Sequence, residues 1–191
     1  MAHKFDPKHK EKLDNKERRE KFPPREILRR FELEKGSNML DIGCGIGYFS
    51  IPASEIVGKE GNVYAVDTSE EMLEEVRKKI KENNIKNMVI INSDEYSARL
   101  RDNNIDFILI SNVMHEIDDK DRFLKNYLNS LNIGGRLAII EWKKVDTESG
   151  PPLKARLDDK DLENILKEHN IKLVNKLDLT DTHYGVLLEK Y

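Results

Sequence analysis

The segment Asp41-Ile42-Gly43-Cys44-Gly45-Ile46-Gly47 leaves this chain few folds to adopt. It closes a short apolar run, Asn38 to Ile42, that reads as a buried strand. Three glycines at alternate positions then let the backbone turn tightly and let a ligand lie against it. Beyond the turn, Phe49, Ile51, Ala53, Ile56 and Val57 suggest a helix, which Gly58 stops. Strand, glycine turn and helix in that order open an α/β sheet, whose ligands lie beyond the carboxyl ends of the strands.

The alternation continues along the chain. Val63 to Val66 is a second apolar strand ending at Asp67, and Thr68-Ser69-Glu70-Glu71 starts a helix carrying Met72, Leu73, Val76 and Ile80. Met88 to Ile91 is a third strand, followed by a weak helix expected around Tyr96 to Leu100. Ile105 to Ile110 is a fourth, and Asp118 or Asp119 caps the helix of Phe123, Leu124, Tyr127, Leu128 and Leu131. Gly134-Gly135 turns into a fifth strand, Leu137 to Ile140. After Gly150-Pro151-Pro152, a helix from near Asp158 carries Leu162, Ile165 and Leu166. Ile171 to Val174 and Gly185 to Leu188 are the last strands. Continuous apolar strands are covered on both faces, as in parallel sheets. The polar turn around Leu177 to His183 is too short for a parallel crossover, so the final pair is antiparallel. The expected fold is α/β: a seven-stranded, mostly parallel, doubly wound sheet with helices on both faces and an antiparallel C-terminal strand.

Charge bears on partners. The chain of 191 residues is 36% charged with a net charge of −3, so nothing global attracts nucleic acid or an anionic membrane. Residues 1–30 nevertheless hold 11 Lys and Arg against 6 Asp and Glu, while the rest holds 22 against 30. Residues 1–36 therefore read as a basic helical arm. It is either a lid over a site, with His3, Phe5, Asp6 and Leu13 to Arg19 available to cover it, or simply a solvated helix face. Residues 37–191 are the main domain. Cys44 is the only cysteine, which excludes an intrachain disulfide and fits a reducing, cytoplasmic setting. No run of 18 apolar residues is present. His3 and His9 do not make a zinc pattern, and no metal is expected.

The chemistry gathers at the strand ends. A pyrophosphate fingerprint reads GxGxxG, whereas this turn reads GxGxG with Asp41 two residues before the first glycine. A carboxylate there repels a pyrophosphate and suits the ammonium or amide donors of a cationic ligand. A bare strand–helix turn would need neither the acid nor so many glycines. Asp67 is placed to accept both hydroxyls of a ribose, or to cap the helix after it. Asp94, after strand three, suits an adenine amino group or an N-cap.

Residues 38–142 resemble the class I (Rossmann-like) S-adenosylmethionine-dependent methyltransferases. Leu40 to Gly47 matches the family's first motif, Asp67 after Tyr64-Ala65-Val66 its ribose acid, and Ser93-Asp94 its adenine-side motif. Asp106 to Asn112 resembles its fourth-strand motif, and Leu131 to Leu137 the turn into its fifth strand. The resemblance implies S-adenosylmethionine as cofactor, with S-adenosylhomocysteine as product. It implies a cofactor site of Asp41, Gly43, Cys44, Gly45, Gly47, Asp67, Thr68, Met72, Ser93, Asp94 and Asn112. Gly43 and Gly45 would lie near the amino-acid part, Met72 beside the adenine, and Asn112 near the methyl group. Cys44 reads as a small packing residue of the turn rather than a nucleophile.

The acceptor side centres on Val113-Met114-His115-Glu116, after strand four. His115 is the candidate base, since an imidazole titrates near neutrality; it can equally be a pocket wall, because methyl transfer also proceeds by alignment alone. Glu116, Trp142 after strand five and Tyr184 in the final hairpin are further acceptor-pocket candidates. The Asn/Asp-Pro-Pro-aromatic motif of methyltransferases acting on nucleic-acid or glutamine amines is missing from this sequence. The acceptor is therefore expected to be a small molecule attacked at oxygen, carbon, sulfur or a metalloid. Three rivals stand beside this reading: a non-catalytic S-adenosylmethionine-binding regulator, an NAD(P)-dependent oxidoreductase, and RNA methylation guided by the basic arm. Oligomeric state is not legible.

Overall fold

A computed structural model describes residues 13–97, 100 and 104–191. Two short helices come first, α1 (Lys16–Lys21) and α2 (Pro24–Arg30). The sheet units follow: β1 (Met39–Ile42), α3 (Ser50–Val57), β2 (Val63–Asp67), α4 (Glu70–Glu82), β3 (Met88–Asn92), β4 (Ile105–Ser111) and α5 (Lys120–Leu128). Then come β5 (Leu131–Trp142), α6 (Asp159–Leu166), β6 (Ile171–Asp178) and β7 (His183–Lys190). The seven strands form one sheet in the order β3-β2-β1-β4-β5-β7-β6. β1 to β5 pair in parallel, and β7 pairs antiparallel to both β5 and β6. β7 is thus the one reversed strand. The strand order switches between β1 and β4, so a crevice opens at their carboxyl ends, where such sheets bind ligands.

Alternation along the strands divides the core. Met39, Phe107, Leu109, Ala138, Ile140 and Leu187 pack with Phe31, Leu33, Phe49 and Ala53 on the α2–α3 face. Leu40, Ile108, Ile110, Leu137, Ile139 and Val186 pack with Phe123, Leu124, Leu162 and Leu166 on the α5–α6 face. α4 lays Leu73 and Val76 on Ala65 and Cys44. Helix starts obey local chemistry: Ser69, Asp119 and Asp158 each accept a backbone N–H at N3, and Asp158 with Asp161 completes a capping box. Gly58 ends α3 with φ of +69°. Leu28 and Phe31, within the expected arm, are fully buried beneath the sheet.

Three details depart from expectation. The helix expected at Tyr96–Leu100 is, where described, a turn closed by an Asp94–Ser97 bridge. Its two large apolar residues, Tyr96 and Leu100, pack toward the α5 side, but too little apolar surface remains to cover β3, and Val89 is 44% exposed. Gly134-Gly135 lies inside a longer β5, where the pairing with β4 shifts register between Ile105 and Phe107. The last hairpin turns more tightly than read: β6 runs to Asp178 and β7 begins at His183, because the Thr180 hydroxyl accepts both Thr182 N–H and His183 N–H.

Candidate functional site

The glycine turn has the shape its sequence demands. Gly43, Gly45 and Gly47 all have positive φ, at +69°, +53° and +79°. A Cβ on Gly43 would strike Val113 Cγ2, so the turn and the segment after β4 are packed backbone against side chain. The N–H groups of Gly43 and Cys44 donate to Val66 O at 2.8 and 2.9 Å, tying the turn to β2. Asp41 is 2% exposed and accepts the Ser50 hydroxyl. Burial, helped by the nearby Asp67 charge, pushes its carboxyl up to about 7 despite the Ser50 bond. Cys44 is buried in the same turn, and burial raises its thiol well above the ordinary range, so it stays an unreactive SH.

Asp67 performs two local tasks. One oxygen accepts Gly45 N–H and the other Ser69 N–H, both at 2.8 Å. It thereby braces the glycine turn and launches α4. Burial raises its carboxyl, opposed by these backbone bonds. Met72 is buried on the first turn of α4, Thr68 is exposed, and Ser93 N–H reaches Asp67 O at 3.1 Å. Asp94 sits exposed at the rim beyond β3. These residues thus line the carboxyl ends of β1, β2 and β3 in order.

Asn112, directly after β4, lies in the left-handed region, with φ of +58°. Its N–H donates to Ile140 O at 2.8 Å, while its side-chain Oδ1 is buried without a partner. Strain in a non-glycine residue joined to an unsatisfied buried acceptor marks a site shaped for something other than stability.

His115 follows on a single 3-10 turn and is 7% exposed. Its Nδ1 lies 2.8 Å from Glu141 Oε2, and its backbone N–H reaches Glu141 Oε1 at 3.3 Å. Glu141 is fully buried near the end of β5. Burial works against the imidazolium, but the Glu141 bond and charge, with Glu116 at 3.9 Å from Nε2, outweigh it and raise the His115 pKa. The carboxylate fixes the ring and its tautomer, as in other oriented histidines. An open cleft of about 650 Å³ runs from His115 along Lys120 and Leu157 toward Lys144.

On the other face of β5, Trp142 pairs across the sheet with His183, ring centroids 4.1 Å apart, and His183 meets Phe22 at 4.8 Å. Arg18 stacks over Tyr48 at 4.7 Å, and Tyr48 donates its hydroxyl to Phe22 O at 2.7 Å. Tyr184 turns away from this group: its hydroxyl donates to Leu157 O at 2.8 Å and its ring joins the α5–α6 core. His183, its neighbour, occupies the place beside Trp142. From the amino-terminal segment, Leu13 Cδ1 comes within 3.6 Å of where a Gly45 Cβ would stand. Lys79 donates to both Asp14 Oδ2 and Ile46 O at 2.9 Å. His3, Phe5 and Asp6 lie outside the described residues.

Two residues of this constellation have no individual role in the sequence reading, although Glu141 stands at the active edge and Arg18 in the Leu13–Arg19 stretch. Glu141 is separated from His115 by 26 positions and ends a strand that reads as ordinary. Its one signal is an acid directly continuing the apolar run Leu137 to Ile140. Arg18 is one of many basic residues in its region and carries no distinguishing signal.

Comparison with known proteins bears on family and fold. A family model described as a methyltransferase domain matches residues 33–182. A demethylmenaquinone methyltransferase of Listeria welshimeri is 32% identical over 129 residues, covering 63% of this chain and 55% of that protein. Another, from Geobacillus stearothermophilus, is 30% identical over 117 residues, covering 61% and 50%. The chain spans about half the length of these curated relatives. Among solved structures, a SAM-dependent methyltransferase from Aquifex aeolicus superposes with a TM-score of 0.92 at 32% identity, covering 98% of this chain and all of that one.

Proposed function

This chain belongs to the methyltransferase-domain family, and from that premise we propose that it moves a methyl group from S-adenosylmethionine to a small-molecule acceptor bearing an ionisable proton. The observation that carries the acceptor half is the buried His115–Glu141 pair beside the strained, unsatisfied Asn112. The demethylmenaquinone methyltransferases among its relatives favour a quinone-type small-molecule acceptor.

The residues present fit the cofactor. Gly43 and Gly45, both at positive φ, expose backbone at the crevice, and Asn112 Oδ1 awaits a donor. Asp41 would face the ammonium group, Gly43, Cys44, Gly45 and Gly47 the amino-acid chain, and Asp67 the ribose hydroxyls. Asp67 can serve there while keeping its backbone bonds, since each oxygen has a second lone pair. Thr68 and Met72 would border the adenine, and Ser93 with Asp94 its amino edge. Bound there, the cofactor supplies an electrophilic methyl on a sulfonium.

The chain's own part is orientation and proton transfer. Glu141 accepts Nδ1–H of His115, leaving Nε2 as the acceptor of the substrate's proton. Glu116 lies near enough to favour the resulting imidazolium. Trp142 walls the acceptor. The amino-terminal arm acts as cover: among its described residues, Leu13 over Gly45 and the Asp14–Lys79–Ile46 bridge fasten it to the glycine turn, excluding water. Among the described residues no helix is long and apolar enough to cross a membrane.

Labelled S-adenosylmethionine offered with quinol, catechol and thiol acceptors tests the reading. Transfer to one of them that falls about a hundredfold or more in His115→Asn, with S-adenosylhomocysteine binding retained, supports it. Binding without transfer to any acceptor would favour a non-catalytic role, and binding of NADH instead would overturn it.

A further inference from the structure

Arg18 is a half-buried cation whose Nε is buried with no partner, and among the described residues no carboxylate pairs with it. Asp14, whose charge reaches Arg18, is engaged elsewhere: it takes Arg19 in a fork at 2.6 and 2.8 Å and Lys79 at 2.9 Å. Burial accordingly disfavours the Arg18 charge. A guanidinium removed from water without a counter-charge is costly, and such groups persist where a ligand completes them.

Its surroundings describe that ligand. The guanidinium lies 4.7 Å over the Tyr48 ring and 5.8 Å over that of Phe22. Tyr48 directly follows the glycine turn and is pinned by donating to Phe22 O and Arg18 O, so the arm and the turn hold Arg18 jointly. Phe22 leads to His183 and thence to Trp142. His183 Nε2 is a second buried nitrogen without a partner. Its pKa is pushed down to about 3 by burial and by the charges of Arg18, Arg156, His115 and Lys143, so it is a neutral ring there. The region therefore offers one uncompensated planar cation, one neutral ring nitrogen and aromatic walls, with no fixed negative charge paired to the cation.

We propose that Arg18 is the seat of a carboxylate in the loaded enzyme, gripped by the guanidinium and flanked by Phe22 and Tyr48. The inference rests on the methyl-transfer reading for its two sources of that group: the carboxylate of the cofactor's amino-acid chain, or one carried by an aromatic acceptor. Guanidinium–carboxylate pairing is short, planar and charge-assisted, which suits the forked donor present here.

Calorimetry on the full chain, its Arg18→Met variant and its Arg18→Lys variant separates the sources. One arm compares S-adenosylhomocysteine with its decarboxylated analogue, S-adenosyl-3-thiopropylamine. The other compares 1-naphthoate with neutral 1-naphthamide, with and without S-adenosylhomocysteine. A preference of about tenfold or more for the carboxylate in either arm, abolished in Arg18→Met and partly kept in Arg18→Lys, supports the proposal and names the source. Carboxylate preferences that are absent in the parent, or unchanged in both folded variants, overturn it. Failure of the parent to bind S-adenosylhomocysteine would instead refute the methyl-transfer reading, and the naphthoate arm without it would still decide whether Arg18 holds a carboxylate.

Discussion

The two halves of the crevice are built by different rules. At the ends of β1, β2 and β3, polar groups are tied into the backbone: Gly43 and Cys44 to Val66, and Asp67 to Gly45 and Ser69. At the ends of β4, β5 and β7, polar groups are left over: Asn112 Oδ1, His183 Nε2 and, from the arm, Arg18 Nε. The first half is rigid and assembled from residues close to one another in the turn and its partner strand. The second is assembled across long separations and keeps these polar atoms unpartnered. A shared donor on the first side and a variable acceptor on the second would produce this division, because function on a common fold lies in its rim.

Substitutions can break or sharpen the contrast. The largest effect is expected on the acceptor side: His115→Asn should cut the methylation rate about 10²- to 10⁴-fold, with affinity for S-adenosylhomocysteine nearly unchanged. Equal losses in both would erase the distinction between the halves. On the donor side, Gly43→Ala places a side chain at a φ of +69° against Val113 and should cost about 3 kcal/mol of stability, read by urea unfolding, while abolishing cofactor binding.

Two pH effects come next. Glu141 helps to raise the His115 pKa, so the rate should rise with pH through a midpoint above 6.5, as His115 loses its proton and becomes a base. Glu141→Gln should move that midpoint to lower pH and reduce the plateau, a pairing of changes that loss of packing alone would not give. Asp41 has its carboxyl raised, so the folded state holds a proton that the unfolded chain has released; stability then falls as pH climbs from about 4 to about 7. Asp41→Asn should flatten that fall by roughly 2 kcal/mol, seen in melting temperatures across the range, while weakening the cofactor. The smallest effect belongs to the arm. Lys79→Met removes a partly exposed bridge and should cost only about 0.5–1 kcal/mol, yet speed release of S-adenosylhomocysteine in stopped-flow measurements.

The same contrast explains what could be read from the chain. The donor half is encoded in short stretches, such as Asp41 to Gly47 and Val63 to Asp67, where apolar runs and glycines fix the backbone locally. Trp142 and His115 were visible by their place after apolar strands, but their partners were not. Glu141 becomes meaningful only once β4 and β5 lie side by side. Tyr184 and His183 show how sensitive such inference is to register. Reading the hairpin turn as Leu177–His183 leaves open which face each of them takes; the Thr180 hydroxyl tightens the turn and settles the phase, putting His183 beside Trp142 and Tyr184 opposite Glu141. The segment after β3 failed for another reason. Tyr96 and Leu100 have helical spacing, but two apolar residues cannot anchor a helix on the sheet.

β7 alone runs backwards, so it delivers its first residue, not its last, to the edge where the other six strands finish. The short connection of residues 179–182 therefore borders the edge where β5 finishes, while standing outside the strands. Evolution can lengthen or recolour that connection without disturbing Val186, Leu187 or Leu188 beneath it. A family built this way can exchange its clientele at a hairpin tip and leave the machinery for the shared methyl donor intact.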